Sequence, residues 1–179
     1  MNDQQIVPVT MEVAWLETAI GRLYIGDTEY NPKPLPSLAN GYWYVVVDSY
    51  NLNVVFNVMN ADNADYPAEL GVFLGNSRYY IFISTSDMRT THLPVDKLFT
   101  LLKSLGASSN LTKVLQIGNQ IGTSQLEKAT YSIAANTDQS GHTAFDQYSM
   151  FADNATVVPL AFGAVTVAGQ TIWTLGQLT

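Results

Sequence analysis

The chain has 179 residues with no cysteine, 8 basic against 15 acidic side chains, and a net charge of −7. The missing cysteine excludes disulfides, thiolate metal sites and thiol catalysis, and so few Lys and Arg argue against a nucleic-acid partner, because phosphate binding depends on clustered positive charge. Only 13% of residues are charged, about half the usual share, so the polar surface is mostly neutral and suits packing into assemblies or binding uncharged polar ligands such as sugars.

A chain of this length buries on the order of two thirds of its unfolded surface, so residues 1–179 are expected to form one domain. Residues 1–5 lack a basic stretch followed by an apolar run, which predicts no secretory signal on this chain. No apolar run approaches the ~20 residues of a membrane helix, so membrane insertion is not expected. The composition suits a virion-associated or extracellular setting without fixing the compartment.

In chain order, Val7, Val9, Met11, Val13 and Trp15 share one parity, the period-two pattern of a half-buried strand, with Pro8 marking its edge or beginning. Pro32, Pro34 and Pro36 make residues 31–37 an extended connector, so residues 1–40 read as an N-terminal strand arm set apart from a body that begins at Gly41. Residues 41–47 and 52–58 are dense in aromatic and β-branched side chains and flank a turn at 48–51, which predicts a hairpin. A short helix is expected from Pro67 to Gly75, weakened by Gly71 in its interior. Residues 79–84 form a continuous apolar run, the mark of a strand buried on both faces.

The best-supported helix follows Pro94. Asp96 stands in its first turn, Val95, Leu98, Phe99, Leu102 and Leu105 form one stripe, Lys103 stands in the last turn, and Gly106 lies just past the end. Residues 114–117, 130–135 and 145–151 are expected as strands, and residues 165–173 as a terminal hairpin turning at Ala168 and Gly169. The fold class that results is a β-rich α+β domain: a mixed β-sheet core with two helices packed on it, an N-terminal strand arm and a C-terminal β-hairpin.

No constellation of catalytic side chains is complete. The two histidines, His92 and His142, have no partner at a spacing that would make a triad or a metal site, and no Gly-x-Ser-x-Gly elbow precedes a helix. Asn136, Asp138 and Ser140 copy the first half of a calcium loop, but Gln147 stands where the bidentate Glu belongs, and a turn rich in Asx and Gly accounts for the same residues. No cofactor is expected. Among the aromatics, strand alternation places Trp43 on the face opposite Tyr42 and Tyr44, so a large ring can leave the core unless the sheet is packed on both sides. Asp87 and Arg89 follow the carboxyl end of the buried strand, where open sheets tend to place ligands.

Three stretches resemble, in order and spacing, the domain shared by the interleukin-like EMT inducer (PANDER-like) proteins. They are Gly41-Tyr-Trp-Tyr-Val-Val-Val-Asp48 leading into Asn53-Val-Val-Phe56, then Tyr80-Ile-Phe-Ile-Ser-Thr-Ser-Asp87, and Leu101-Leu-Lys-Ser-Leu-Gly-Ala107. The resemblance implies an inducer-like core over residues 41–149, followed by C-terminal strands over 150–179. It also implies a non-enzymatic sheet-and-helix module and, in some relatives, carbohydrate recognition. The family's Arg-Asp pair before an aromatic strand is absent here; Lys128 and Tyr131 stand in that region and join Asp87, Arg89 and Trp43 as the candidate ligand-binding set. The cysteines of the vertebrate secreted members are also absent.

These readings point to a non-catalytic binding module for carbohydrate or a glycosylated protein partner. The alternative is a structural component of a larger assembly, such as a virion or surface appendage, using the N-terminal arm for contacts and forming a homo-oligomer. A glycoside-acting enzyme, built on a pair of the 15 carboxylates, comes third.

Overall fold

The computed structural model describes residues 5–15, 19–33, 41–86, 92–121, 129–140, 143–150 and 156–177. Ten strands build two five-stranded sheets. The first contains β1 (Ile6–Trp15), β2 (Ala19–Ile25), β3 (Thr28–Tyr30), β9 (Thr156–Val167) and β10 (Gln170–Gln177), in the order β10-β9-β1-β2-β3. The second contains β4 (Tyr42–Asp48), β5 (Val54–Asn60), β6 (Tyr79–Thr85), β7 (Thr130–Asn136) and β8 (Phe145–Ser149), in the order β5-β4-β6-β7-β8. A 3-10 turn spans Ala68–Val72, and the two α-helices are α1 (Asp96–Ser104) and α2 (Ser109–Ile121).

The layers follow from side-chain alternation. On one face of the second sheet, Trp43, Val45, Val47, Tyr80, Phe82 and Ala134 pack against Val9, Met11, Leu23, Val158, Leu160 and Phe162 of the first. The rings of Tyr80 and Phe162 meet edge to face across this interface with centroids 5.4 Å apart, a geometry worth about 0.5–1.5 kcal/mol beyond the area buried. On the other face, Tyr42, Tyr44, Val46, Ile81, Ile83, Tyr131 and Ile133 pack against Leu98, Leu101 and Leu102 of α1 and Leu111 and Val114 of α2. The order of layers is therefore sheet, sheet, helices. Every residue of β4 and β7 is buried, as is every residue of β6 after Tyr79, which is why residues 42–47 and 79–83 read as apolar runs rather than alternating ones.

The protein is β-rich with two helices, but several expected details differ. Every described strand pairing is antiparallel and the strands divide between two sheets, where a single mixed sheet was expected. β1 is no detached arm. It is the central strand of the first sheet, with Val9 facing Ile25 on one side and Leu160 on the other. Residues 114–117, expected as a strand, lie inside α2, where Leu111 and Val114 are buried and Leu115 packs beside them at helical spacing. Residues 67–75 form only the 3-10 turn, with Leu70 as its buried anchor. At the end of α1, Gly106 takes φ +91°, and the N–H groups of Gly106 and Ala107 donate to the carbonyls of Lys103 and Leu102, closing the helix with a left-handed cap. β9 and β10 turn at Ala168 (φ +48°) and Gly169 (φ +81°), the two positive φ values of a two-residue hairpin turn.

Gly41 precedes β4 where the backbone runs tight against its neighbour: a Cβ there would stand 2.7 Å from the Asn60 carbonyl oxygen and 2.8 Å from the Met59 methyl. Gly71 has nothing within 4 Å. Gly41→Ala is therefore expected to lower stability by about 1–3 kcal/mol, and Gly71→Ala to leave it unchanged or raise it by up to ~1 kcal/mol. Urea unfolding of the two variants checks both directions at once.

Candidate functional site

Of the candidate set from the sequence, the described residues Trp43 and Tyr131 lie on opposite faces of the second sheet. Asp87, Arg89 and Lys128 lie outside the described residues. Trp43 is fully buried between the two sheets, its indole N–H donating to Asn57 Oδ1 at 2.7 Å. Tyr131 is fully buried on the opposite, helix-covered side of the second sheet, and its hydroxyl donates to Asp146 Oδ2 at 3.0 Å. Burial, with the Asp146 charge and hydrogen bond adding to it, pushes that phenol far above its ordinary value. Both rings were placed on the correct strands, but each strand is covered on both faces, so neither ring presents a surface to a ligand.

The calcium alternative also resolves into local turn chemistry. The Asn136 amide donates to the Ser77 carbonyl at 2.9 Å and accepts from the Asp138 N–H at 2.9 Å, and Asp138 Oδ1 accepts from the Ser140 N–H at 3.2 Å. These are Asx turns. No cluster of three or more His, Cys, Asp or Glu able to hold a metal occurs among the described residues, and no described helix is long and apolar enough to cross a membrane.

The structure builds a cleft at the Tyr79 end of β6. β4 ends at Asp48, whose buried carboxylate accepts from the Tyr50 N–H at 2.9 Å and so folds the following turn. Arg78, immediately before β6, donates from Nε to both Asp48 oxygens at 3.1 Å and from Nη2 to Oδ2 at 2.6 Å. Its guanidinium also lies over the Tyr50 ring, 4.8 Å from the centroid, a cation–π contact. The loop that carries Arg78 is held from the end of β7: Thr137 Oγ1 lies 2.7 Å from the carbonyl oxygens of Phe73 and Asn76, and the Gly75 N–H donates to the Thr137 carbonyl. β10 closes the other wall, the Trp173 N–H donating to the Ser49 carbonyl at 2.8 Å.

The cleft has a volume of about 320 Å³ and is lined by Ser49, Tyr50, Asn76, Ser77, Arg78, Tyr80, Ile172 and Thr174. Burial raises the Asp48 carboxyl, but the Arg78 and Tyr50 hydrogen bonds and the Arg78 charge together outweigh it, so the group stays below its ordinary range. The hydrogen bonds to Asp48 hold Arg78 protonated. The pair is thus close to neutral overall. Asp48 occupies two of the five guanidinium N–H groups and leaves three for other partners. The hydroxyl of Ser49, a residue 1% exposed, has no hydrogen-bond partner, an unusual state for a buried polar group. The hydroxyls of Tyr44, Ser84 and Ser132 are also buried and unpaired, but their residues do not line this cleft.

No protein-family model matches the chain, and no curated protein matches it. The signal for the cleft was present in the sequence in scattered form: Asp48 and Arg78 each abut a buried strand, and a charge at such a place needs a partner. Nothing in the spacing tied one to the other.

Removing Arg78 would leave a buried carboxylate without its cation. Because the arginine is itself exposed to solvent, Arg78→Ala is expected to lower stability, by less than the loss of one partner from a fully buried pair. Asp48 has a folded pKa below its unfolded value, so the pair's contribution is complete above the unfolded value of ~4 and disappears as pH falls through the folded one. The stability gap between the parent and Asp48→Asn should therefore close in acid, below about pH 4. Urea titrations at a series of pH values measure it; a gap that stays constant into acid would contradict the assignment.

Proposed function

We propose that the protein is a non-catalytic binding module that takes a glycan, free or on a glycosylated protein partner, at the Asp48–Arg78 cleft. The observation that carries this reading is the Ser49 hydroxyl, buried and unpaired on the wall of a cleft that also offers free Arg78 N–H groups and a Tyr50 ring 44% exposed. A sugar answers each of these features: its hydroxyls both donate and accept, and the apolar face of a pyranose stacks on an aromatic ring. The neutralised ion pair favours an uncharged ligand over an anion. The low charge of the whole chain supports the same choice. So does the resemblance to interleukin-like EMT inducer domains, whose three matching stretches fall in β4 and β5, in β6 and its sequel, and in α1 and its cap.

A volume of about 320 Å³ lies at the small end of ligand sites and suits a sugar ring or two. At about 0.3 kcal/mol per heavy atom, a monosaccharide of about a dozen such atoms gains ~4 kcal/mol, a Kd on the order of 1 mM. Useful avidity then requires several sites acting together.

Binding to a glycan array, followed by amide NMR titration with the best sugar, tests the reading. Perturbed amides at residues 49–50 and 76–78 are expected. Tyr50→Ala should weaken binding about tenfold, corresponding to a stacking contribution of ~1.4 kcal/mol. Ser49→Ala should also weaken it while leaving stability within about 0.5 kcal/mol of the parent, because the hydroxyl has no partner to lose. An array without hits, or shifts that map away from the cleft, would refute the assignment.

A further inference from the structure

The outward side of the first sheet divides into two unlike halves. Toward β2 and β3 it is polar, with Arg22 of β2 set between Glu12 of β1 and Glu29 of β3 at 3.5 and 3.8 Å. Along β9 itself it is apolar, with Thr10 and Glu12 of β1 beside Pro159 and Val157 and Thr174 of β10 beside Gly163. Val158, Leu160 and Phe162 of β9 point into the core, so the alternate positions face outward, and these are Val157, Pro159, Ala161, Gly163, Val165 and Val167. Ile6 and Pro8 of β1 stand directly opposite Gly163 and Ala161 and extend the same surface. Ile6 is 57% exposed, Val157 42%, Val165 40% and Val167 53%. Outward faces of antiparallel sheets are ordinarily polar, and a contiguous apolar patch rimmed by polar residues marks an interaction surface.

The partner has to meet this face rather than an edge. β5 is covered by residues 31–33, through the Met59 N–H to the Lys33 carbonyl and the Asn57 amide to the Asn31 carbonyl. β8 is covered where the Ser108 N–H and the Asn110 amide donate to Asp146. β10 is met at its midpoint by the Ser49 carbonyl, and β3 has only three residues, one of them Glu29. Lateral strand addition is therefore obstructed at each edge.

We propose that the outer face of β9, with Ile6 and Pro8, is the contact between two copies of this chain, packed sheet on sheet about a two-fold axis. Charge selects this face for self-association. Two chains of net charge −7 repel each other, and here they meet over β9 positions that carry no charged side chain, the nearest charge being Glu12, which stands opposite Val157 at one end of the strand and is paired with Arg22. The size also fits. A strand of 12 residues is ~40 Å long, and with the flanking strands at ~4.8 Å spacing the face reaches roughly 600–900 Å², near the ~800 Å² per partner of a stable complex. Small side chains at Ala161, Gly163 and Gly176 leave little relief, which suits a second sheet at ~10 Å. A lipid surface is a poorer match, since interfacial binding favours flanking Lys and Arg and this margin carries two glutamates. The proposal stands independently of the cleft and its ligand.

Sedimentation velocity of the full chain across a concentration series is the test. The expected result is a dimer that tightens with added salt, as screening weakens the repulsion, and that dissociates at least tenfold more readily in Val157→Asp/Val165→Asp. Val72→Asp, at a more exposed site away from the sheet, should leave it intact. Should the double variant fold poorly, concentration-dependent shifts of the parent's valine methyl resonances must centre on residues 157, 165 and 167. A monomer throughout, a dimer indifferent to the β9 changes, or a monomer that floats with phosphatidylcholine vesicles would each overturn the proposal.

Discussion

Strands β4, β6 and β7 carry side chains that have to be shielded from water on both faces at once, and the rest of the architecture follows from that requirement. One covering layer is the first sheet, which contributes Val9, Met11, Leu160 and Phe162; the other is the helical layer, which contributes Leu98, Leu102, Leu111 and Val114. An ordinary two-layer sandwich leaves one side of each sheet wet. Here the helices occupy the side that would otherwise be wet, and the N-terminal and C-terminal strands have to come together to build the opposing sheet. β1 and β9 consequently pair over eight residues although they belong to opposite ends of the chain.

Such a sandwich concentrates its polar chemistry at the strand ends. Where β4 and β6 leave the core, the backbone has to turn, and the turn is held by a carboxylate that is buried because the layers reach almost to its end. Asp48 can remain ionised there only with Arg78 against it. The same pair that makes the turn stable also sets the polarity of the cleft, because it holds a cation in place while neutralising its charge. In the proposed reading, stability and recognition share these two side chains, whereas the Ser49 hydroxyl has no partner of its own.

The two surfaces complement one another. In the proposed reading, a site the size of a sugar ring binds weakly as a single copy, and the proposed two-fold contact through β9 would present two such sites on one particle to a surface bearing many glycans. The cleft borders the outer edge of β10, and the proposed contact lies on the broad face of the same sheet, so the first sheet supports both surfaces.

Local side-chain pattern was enough to locate much of the fold. Apolar and aromatic density identified β4 and β6, and the agreement of Pro94, Asp96, Lys103 and Gly106 identified α1 and its cap. Ala168 and Gly169 marked the final turn, because a two-residue hairpin demands positive φ at both positions. α2 was legible in principle from Leu111, Val114 and Leu115, but the β-branched and aliphatic run from 114 to 117 competed with that spacing. What the pattern could not supply was anything set by residues distant in the chain. Whether Trp43 and Tyr131 face solvent depends on layers contributed by other segments, and whether residues 6–15 form an arm or a central strand depends on a partner about 150 positions away. The Asp48–Arg78 pair spans 30 positions, a separation that local periodicity does not encode. Side-chain type determines which segments seek burial and which turns can form; only the packing of distant segments decides which faces are covered, and hence which polar groups are left available to a ligand.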